Sequence, residues 1–175
     1  MSQAPRILVF TGDGKGKTTA ALGMALRAAG HRMKVAIIQF VKADADVGEV
    51  RALANNPQIE ITQTGLGFLP SPADPRWAAH CAAAEAGLRK AAESIEAARH
   101  DMVILDEVCF AVARGLLKEA DLIAVLRRAR PGMILVLTGR GATEGLIALA
   151  DTVTEMRCVK HALQNGVSAQ KGVEL

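Results

Sequence analysis

Residues 11–19 read TGDGKGKTT and stand between the apolar run ILVF (residues 7–10) and AALGMALRAAG (residues 20–30), which has helical periodicity. A short strand, a glycine-rich turn and a helix, in this order, are the setting of a phosphate-binding P-loop. Glycines let backbone N–H groups turn inward around an anion, because residues with a Cβ resist positive φ angles. The following helix adds the positive end of its dipole. The stretch therefore predicts a nucleotide phosphate site.

The spacing within this loop differs from the usual G-x-x-x-x-G-K-[ST] pattern. Gly12 lies only four residues before Gly16, and Thr11 stands where the first glycine is expected. We expect Lys17 to reach the outer phosphates and the Thr18 hydroxyl to ligate Mg²⁺. A glycine-rich turn that binds nothing is the alternative, and the strand before Gly16 and the helix after it argue against that. The predicted nucleotide-binding residues of the loop are Gly12, Asp13, Gly14, Lys15, Gly16, Lys17, Thr18 and Thr19.

A second motif, DMVILDE, occupies residues 101–107, some 90 residues after the loop. Four apolar residues followed by Asp106 and Glu107 form the Walker B pattern, a buried strand whose end presents carboxylates beside a P-loop. Such carboxylates hold Mg²⁺ directly or through water and orient the group that attacks the nucleotide. The alternative is a solvated strand end. Together the motifs predict a metal site formed by Thr18, Asp106 and Glu107.

Hydrophobic patterns predict further elements that alternate along the chain. We expect helices at 18–29, 46–54, 76–99, 118–128 and 143–150, and strands at 6–10, 34–39, 58–63, 102–106, 133–138 and 152–157. Strands alternating with helices predict a single α/β domain over residues 1–175, with a mainly parallel central sheet flanked by helices. The alternating pattern of residues 58–63 favours an edge strand.

Polar residues follow several of these strands, at the end where parallel sheets place ligands. Gln39, Lys42 and Arg140 are therefore candidates for binding nucleotide or substrate. Arg140 adjoins a glycine turn and suits phosphate through its planar fork, with a structural salt bridge as the alternative. The loop at residues 64–75 is rich in Gly and Pro, and its Phe68 and Leu69 either pack on the core or line a pocket for a large apolar ligand.

Composition excludes several classes of protein. Aromatic residues make up 3% of the chain and the net charge is only +3, which argues against a nucleic-acid partner. Three widely spaced cysteines support neither a disulfide framework nor a zinc site. The N-terminal residues lack the apolar core of a signal peptide, and no uncharged apolar run reaches membrane-spanning length. We expect a cytoplasmic protein with no membrane partner.

The residues alone predict an Mg²⁺–nucleoside triphosphate site, and they leave open which bond is broken. A small-molecule kinase, a motor-type ATPase and a transferase that uses another part of ATP would all need this site. The motifs TGDGKGKTTAA, IIQFVK, VILDE, LTGRG, LADTVTEM and VKHA, in this order, resemble those of the P-loop ATP:corrinoid adenosyltransferases of cobalamin biosynthesis and salvage. The likeness runs from about residue 7 to the C-terminus and includes the shortened loop.

This resemblance implies a RecA-like fold and usually a homodimer. It further implies ATP bound in reverse, with the P-loop holding the terminal phosphate and the ribose 5′-carbon exposed to Co(I) of a corrinoid. Attack on that carbon forms an adenosylcorrinoid and expels triphosphate. The implied cofactors are ATP and Mg²⁺ or Mn²⁺, with the corrinoid as substrate and a flavoprotein reductase as electron donor. The implied catalytic residues are Lys17, Glu107 and Arg140.

The chain departs from the family pattern at two places. About five residues precede the first predicted strand, where members usually have a longer segment that can fold over the corrinoid. The sequence Gly67–Phe68–Leu69–Pro70 stands where many members read G-F-T-W, so Phe68 matches and Pro70 replaces a common Trp. The resemblance implies that Phe68 contacts the corrinoid and helps to exclude its lower axial ligand.

Two other functions stay open at this point. A small-molecule kinase or other ATPase would release ADP, but the loop at residues 64–75 has no Arg to cover the phosphates. A non-catalytic ATP- and corrinoid-binding module would bind both ligands without turnover.

Overall fold

The computed structural model describes residues 4–44, 47–97 and 99–173. Its strands are β1 (Arg6–Thr11), β2 (Val35–Gln39), β3 (Ile59–Gln63), β4 (Met102–Asp106), β5 (Ile134–Thr138) and β6 (Thr152–Glu155). Its helices are α1 (Lys17–Gly30), α2 (Gly48–Leu53), α3 (Trp77–Glu96), α4 (Val108–Ala113), α5 (Glu119–Leu126) and α6 (Glu144–Leu149), and a short 3₁₀ helix covers Ala162–Asn165.

The six strands form one sheet in the order β3-β2-β4-β5-β1-β6. Every strand pair in the described part of the chain is parallel, which confirms the predicted α/β fold, and β3 lies at an edge as expected. Parallel strands require crossover connections, which here contain the helices. The carboxyl ends of the strands therefore meet at one edge of the sheet, where the two motifs lie.

The central strands bury both of their faces, so their sequences are nearly continuous apolar runs. In β4, Val103 and Leu105 belong to one hydrophobic cluster and Ile104 belongs to the other, as the two-residue period of a strand requires. Helices α1 and α2 cover the second cluster, and α3 to α6 cover the first. The small Ala21, Ala25 and Ala28 form the buried stripe of α1.

Most predicted element boundaries agree with the structure within a few residues. Strand β6 ends at Glu155, two residues early, because the Met156 carbonyl accepts the Gly14 N–H at 2.6 Å. Helix α3 ends at Glu96 instead of Arg99. The predicted start of α2 at Asp46 lies outside the described residues. The six-residue helix α4 was not predicted.

The structure also describes the features behind two expectations from the sequence, which concern membrane-spanning segments and the three cysteines. In the described part of the chain, no helix combines the length and apolarity needed to cross a membrane. Cys81, Cys109 and Cys158 are free thiols, and Cys109 is fully buried. Burial raises the pKa of the Cys109 thiol to about 12, so this side chain stays protonated and contributes to packing.

Candidate active site

The P-loop is closely packed against the chain that follows β6. Gly12 and Gly16 have φ angles of +92° and +106°, in the region that favours glycine. A Cβ on Gly12 would lie 2.5 Å from the Met156 carbonyl oxygen, and one on Gly14 would lie 2.7 Å from the Arg157 carbonyl oxygen. The glycines therefore provide both the turn and the close approach of two backbone segments.

Lys17 begins α1 and is held inside the loop. Its side chain is buried, and its Nζ donates to the carbonyl oxygens of Gly12 at 2.8 Å and Gly14 at 2.6 Å. Burial lowers the pKa of Lys17, and the negative charge of Glu107 opposes this shift. The structure therefore places the ammonium group of Lys17 inside the loop, where the sequence predicts a cation that binds phosphate.

Asp106 is the most extensively hydrogen-bonded acid of the site. Its Oδ1 accepts the hydroxyls of Thr18 at 2.8 Å and Thr138 at 2.7 Å, and its Oδ2 accepts Gln39 Nε2 at 3.0 Å. With 1% of its surface exposed, Asp106 is directed at the P-loop helix instead of at solvent. The Thr18 hydroxyl donates its single hydrogen to Asp106, which leaves its lone pairs for a cation.

Glu107 follows with a φ of +65°, an uncommon conformation for a residue other than glycine. Its backbone N–H donates to Thr138 Oγ1 at 2.9 Å, and α4 begins at the next residue. Burial raises the pKa of Glu107, the nearby Asp106 charge adds to the shift, and Lys17 and other cations oppose it. Glu107 therefore presents to the cleft a carboxyl group that is less acidic than an ordinary glutamate.

A cleft of about 630 Å³ opens above these residues. On one side of it, Lys42 Nζ lies 2.5 Å from Glu49 Oε1 and 3.9 Å from Asp106 Oδ2. Burial works to raise the pKa of Glu49, but the hydrogen bond from Lys42 holds it below the usual value. The predicted residues that line the cleft are Gly14, Lys15, Gly16, Lys17, Thr18, Thr19, Lys42, Glu107 and Arg140.

The other predicted residues lie behind the cleft or away from it. Gly12 supplies a carbonyl to Lys17, and Asp13 is exposed, where its charge acts to raise the pKa of Lys17. Gln39 is buried behind Asp106, so a direct contact with a ligand stays a prediction. Leu69 packs against the core, as one of the two alternatives predicted, whereas Phe68 is fully exposed. A contact of Phe68 with a ligand stays a prediction.

Several residues of the site were not predicted from the sequence. Thr138 ends β5 beside Asp106, and a hydroxyl at a strand end next to the Walker B strand was an available signal. Glu49 and Phe110 line the cleft from α2 and α4, but neither helix carries a motif. Val173 reaches the cleft from the C-terminal segment, and nothing in its sequence context indicates that return.

The donor set around Thr18 fits a magnesium ion. Mg²⁺ is commonly held by one or two carboxylates, with phosphate and water oxygens completing its octahedron. Thr18, Asp106 and Glu107 provide only oxygen ligands. Within the described ranges no group of three or more His, Cys, Asp or Glu side chains could hold a metal ion by itself.

The fold and site define a P-loop nucleotide-binding domain of the RecA-like class. In agreement, the structure resembles the flagellar accessory protein FlaH from Methanocaldococcus jannaschii, with a TM-score of 0.56 and 13% sequence identity. The match covers 87% of this chain and 70% of that one. At this identity the likeness concerns the fold alone.

Sequence comparison identifies the family. The family described as ATP:corrinoid adenosyltransferase BtuR/CobO/CobP matches residues 3–175. The corrinoid adenosyltransferase of Pseudomonas aeruginosa is 43% identical, covering 96% of this chain and 82% of that protein. Corrinoid adenosyltransferase CobA of Salmonella typhimurium is 41% identical, covering 96% and 84%. The chain therefore belongs to the ATP:corrinoid adenosyltransferase family, which confirms the resemblance found in its motifs.

Proposed function

We propose that this chain transfers the 5′-deoxyadenosyl group of ATP to the Co(I) centre of a corrinoid. The electron pair of Co(I) forms the cobalt–carbon bond, the C5′–O bond breaks, and its electron pair leaves with triphosphate. The cobalt is formally oxidised to Co(III). The observation that carries this proposal is one cleft, in a chain of this family, that is lined by a shortened P-loop and by Glu107, the second of the two strand-end acids.

The residues of the cleft have two tasks in this reaction, which are positioning and stabilisation of the leaving group. Co(I) is a strong nucleophile and needs no general base. Lys17 is buried with its ammonium bound to the carbonyls of Gly12 and Gly14. We infer that it exchanges these carbonyls for phosphate oxygens, while Arg140 and Lys15 contact the triphosphate from the cleft rim.

Thr18 and Glu107 are the proposed direct ligands of Mg²⁺ or Mn²⁺. Asp106 already accepts three hydrogen bonds, so we assign it the task of orienting Thr18 and metal-bound water. The bound metal would neutralise charge on the triphosphate. Lys42 is held between Glu49 and Asp106, and we propose that it forms the wall against which the nucleotide lies.

Phe68 is the proposed contact for the corrinoid. Its side chain is fully exposed, although burial of an aromatic ring is strongly favourable. The loop that carries it is anchored at both sides, since Gly67 N donates to the Val41 carbonyl at 2.8 Å and Leu69 packs on the core. A large apolar ligand would cover the ring that the fold leaves uncovered.

We further propose that the protein acts in the cytoplasm as a homodimer and that a flavoprotein reductase supplies the electrons that generate Co(I). These points rest on the resemblance to the family. Sedimentation analysis of the purified protein tests the dimer: a single species at twice the 18.4 kDa chain mass supports it, and a monomer at micromolar concentration rejects it.

The transfer itself is tested anaerobically with ATP, Mg²⁺ and chemically reduced Co(I) corrinoid. The wild-type protein should convert the Co(I) spectrum to that of a light-sensitive alkylcorrinoid. Lys17→Ala should reduce the rate at least about 100-fold, as loss of a buried charge at a leaving group does. Lys34→Ala, at an exposed lysine just before β2 and therefore at the opposite end of the sheet, is the control for loss of a lysine charge. Unchanged Co(I) in the presence of bound ATP would reject the proposal.

A further inference from the structure

A row of polar side chains runs across the carboxyl ends of the strands. Gln39 of β2 is in register with Gln63 of β3 on one side and with Asp106 of β4 on the other. Gln63 Nε2 donates to Gln39 Oε1 at 2.9 Å, and Gln39 Nε2 donates to Asp106 Oδ2 at 3.0 Å. Gln63 thus reaches the Walker B carboxylate through one intervening amide.

The hydrogen bonds in this row have a fixed direction. The second hydrogen of Gln63 Nε2 is donated to the backbone carbonyl of Asp44 at 2.9 Å, and a carbonyl can only accept. At the other end of the row, Asp106 Oδ2 is the acceptor from Gln39. With an acceptor at each end, the two amides have one consistent arrangement. Turning Gln63 over would place its oxygen against the Asp44 oxygen and turn the Gln39 oxygen toward Asp106.

We propose that Gln63 is a positioning residue of the active site, which sets the orientation of the Gln39 amide and thereby keeps Asp106 directed at Thr18. The role rests on the proposed function of the cleft. Gln39 is 1% exposed, so its amide depends on protein groups such as Gln63 and Asp106 for its hydrogen bonds. The effect of Gln63 on the metal–nucleotide complex therefore passes through the Gln39 amide.

The same side chain connects the row to the wall of the cleft. Asp44 belongs to the segment between β2 and α2, which also carries Lys42, and α2 carries Glu49. Gln63 is therefore hydrogen-bonded both to Gln39, which donates to Asp106, and to the segment that carries Lys42. We infer that the position of this wall and the orientation of Asp106 change together.

Gln63→Glu tests the direction of the row. The ionised carboxylate is close in shape to the amide but can only accept. Its oxygens accept from Gln39 Nε2, which turns the Gln39 oxygen toward Asp106. The charged groups around this position are Asp106 on β4, Lys42 and Asp44 after β2, and Glu49 on α2. Gln63→Leu removes the donor, and Gln58→Glu places the same charge at the opposite end of β3.

The probe is Mn²⁺ bound to the protein–ATP complex, measured by electron paramagnetic resonance at about pH 8, where an introduced glutamate is ionised. Gln63→Glu should weaken Mn²⁺ binding about tenfold relative to wild type. Gln63→Leu should weaken it as well, and Gln58→Glu should have no effect. A Mn²⁺ affinity of Gln63→Glu equal to that of wild type would overturn the proposal.

Adenosyl transfer is measured on the same samples. This second measurement shows whether a negative result concerns the role of Gln63 or the proposed function of the cleft. We expect kcat to follow Mn²⁺ affinity, while the corrinoid KM stays unchanged. If the wild type binds Mn²⁺–ATP but forms no cobalt–carbon bond, the proposed function fails and the Mn²⁺ ratios still test Gln63. Thermal unfolding and metal-free ATP binding are measured on the same variants. Wild-type values for both in Gln63→Glu distinguish misdirected hydrogen bonds from a variant that fails to fold.

Discussion

Thr138 donates a 2.7 Å hydrogen bond to Oδ1 of Asp106, which joins the ends of the adjacent strands β5 and β4. The same hydroxyl accepts the backbone N–H of Glu107 at 2.9 Å. A hydroxyl group has one hydrogen to donate and lone pairs to accept, so one side chain holds both acids of the motif. The left-handed backbone of Glu107 is therefore supported by the neighbouring strand.

Thr138→Val is expected to disturb both acids while keeping the shape of the side chain. It removes a hydrogen bond to a charged group and leaves the Glu107 N–H without its acceptor, which should cost about 2 kcal/mol of unfolding free energy. Adenosyl transfer should fall as well. Thr138→Ser keeps the hydroxyl and should retain most of the activity. Denaturant unfolding and initial rates measure the two effects, and wild-type turnover in the valine variant would contradict this role.

Gly12→Ala should destabilise the P-loop and weaken ATP binding. The positive φ of Gly12 alone costs an alanine about 1–2 kcal/mol, and the new Cβ would meet the Met156 carbonyl. Gly23→Ala is the matched control, because a Cβ there meets no atom within 4 Å beyond its chain neighbours and the backbone of its own helix, and a mid-helix alanine stabilises by up to about 1 kcal/mol. The thermal unfolding temperature should therefore fall in Gly12→Ala and rise in Gly23→Ala, and ATP affinity should fall only in Gly12→Ala.

The fold was largely predictable because its signals are local. The buried strands are short apolar runs, and glycine-rich turns mark the ends of strands such as β1 and β5. Helix α4 was missed because its six residues continue an apolar stretch in which helix and strand have the same appearance. The early end of β6 was not predictable, because its cause is a hydrogen bond between Gly14 and Met156, far apart in the chain.

Site residues that belong to a sequence motif were predictable. Site contacts that depend on which strands lie side by side were less predictable. Lys17, Thr18 and Glu107 line the cleft as their motifs indicated. The sequence placed Gln39 at a strand end but did not show that its amide faces Asp106. That contact depends on which strands are neighbours, as do the roles of Thr138 and Gln63. Val173 lines the cleft because the C-terminal segment returns to it, and no periodic pattern in the sequence indicates this contact.

Glu107→Gln should stabilise the protein in metal-free buffer and reduce its activity. Below the ordinary glutamate pKa of about 4.5, the group is protonated in both the folded and unfolded states and contributes nothing. As the pH rises, the unfolded chain ionises while the folded protein retains the proton, so the wild type loses stability. The stability advantage of the variant should therefore grow from about pH 4.5 upward and level off above the raised pKa.

Urea unfolding across this pH range measures that advantage, with Glu85→Gln on the exposed face of α3 as the control for loss of a carboxylate. In the activity assay Glu107→Gln should reduce turnover about 10- to 100-fold through loss of a proposed metal ligand. A stability difference that shrinks as the pH rises would contradict the pKa assigned to Glu107.

Phe68→Ala should leave stability within about 0.5 kcal/mol of wild type, because the ring is exposed. If the ring covers the corrinoid, the corrinoid KM should rise about tenfold and the affinity for ATP should not change. Leu66→Ala, in the same loop and also exposed, is the control for general disturbance of the loop. Equal corrinoid KM values in wild type and Phe68→Ala would remove Phe68 from the site.

The most direct test of the central claim follows both halves of ATP in a single turnover. ATP carrying ¹⁴C in the adenosine and ³²P at the γ-phosphate is mixed anaerobically with enzyme, Mg²⁺ and excess Co(I) corrinoid. Cleavage of the C5′–O bond predicts that all the ¹⁴C joins the light-sensitive corrinoid while all the ³²P appears as intact triphosphate, in equal amounts. Labelled ADP, with ³²P in free phosphate or on another acceptor, would contradict it and indicate phosphoryl transfer.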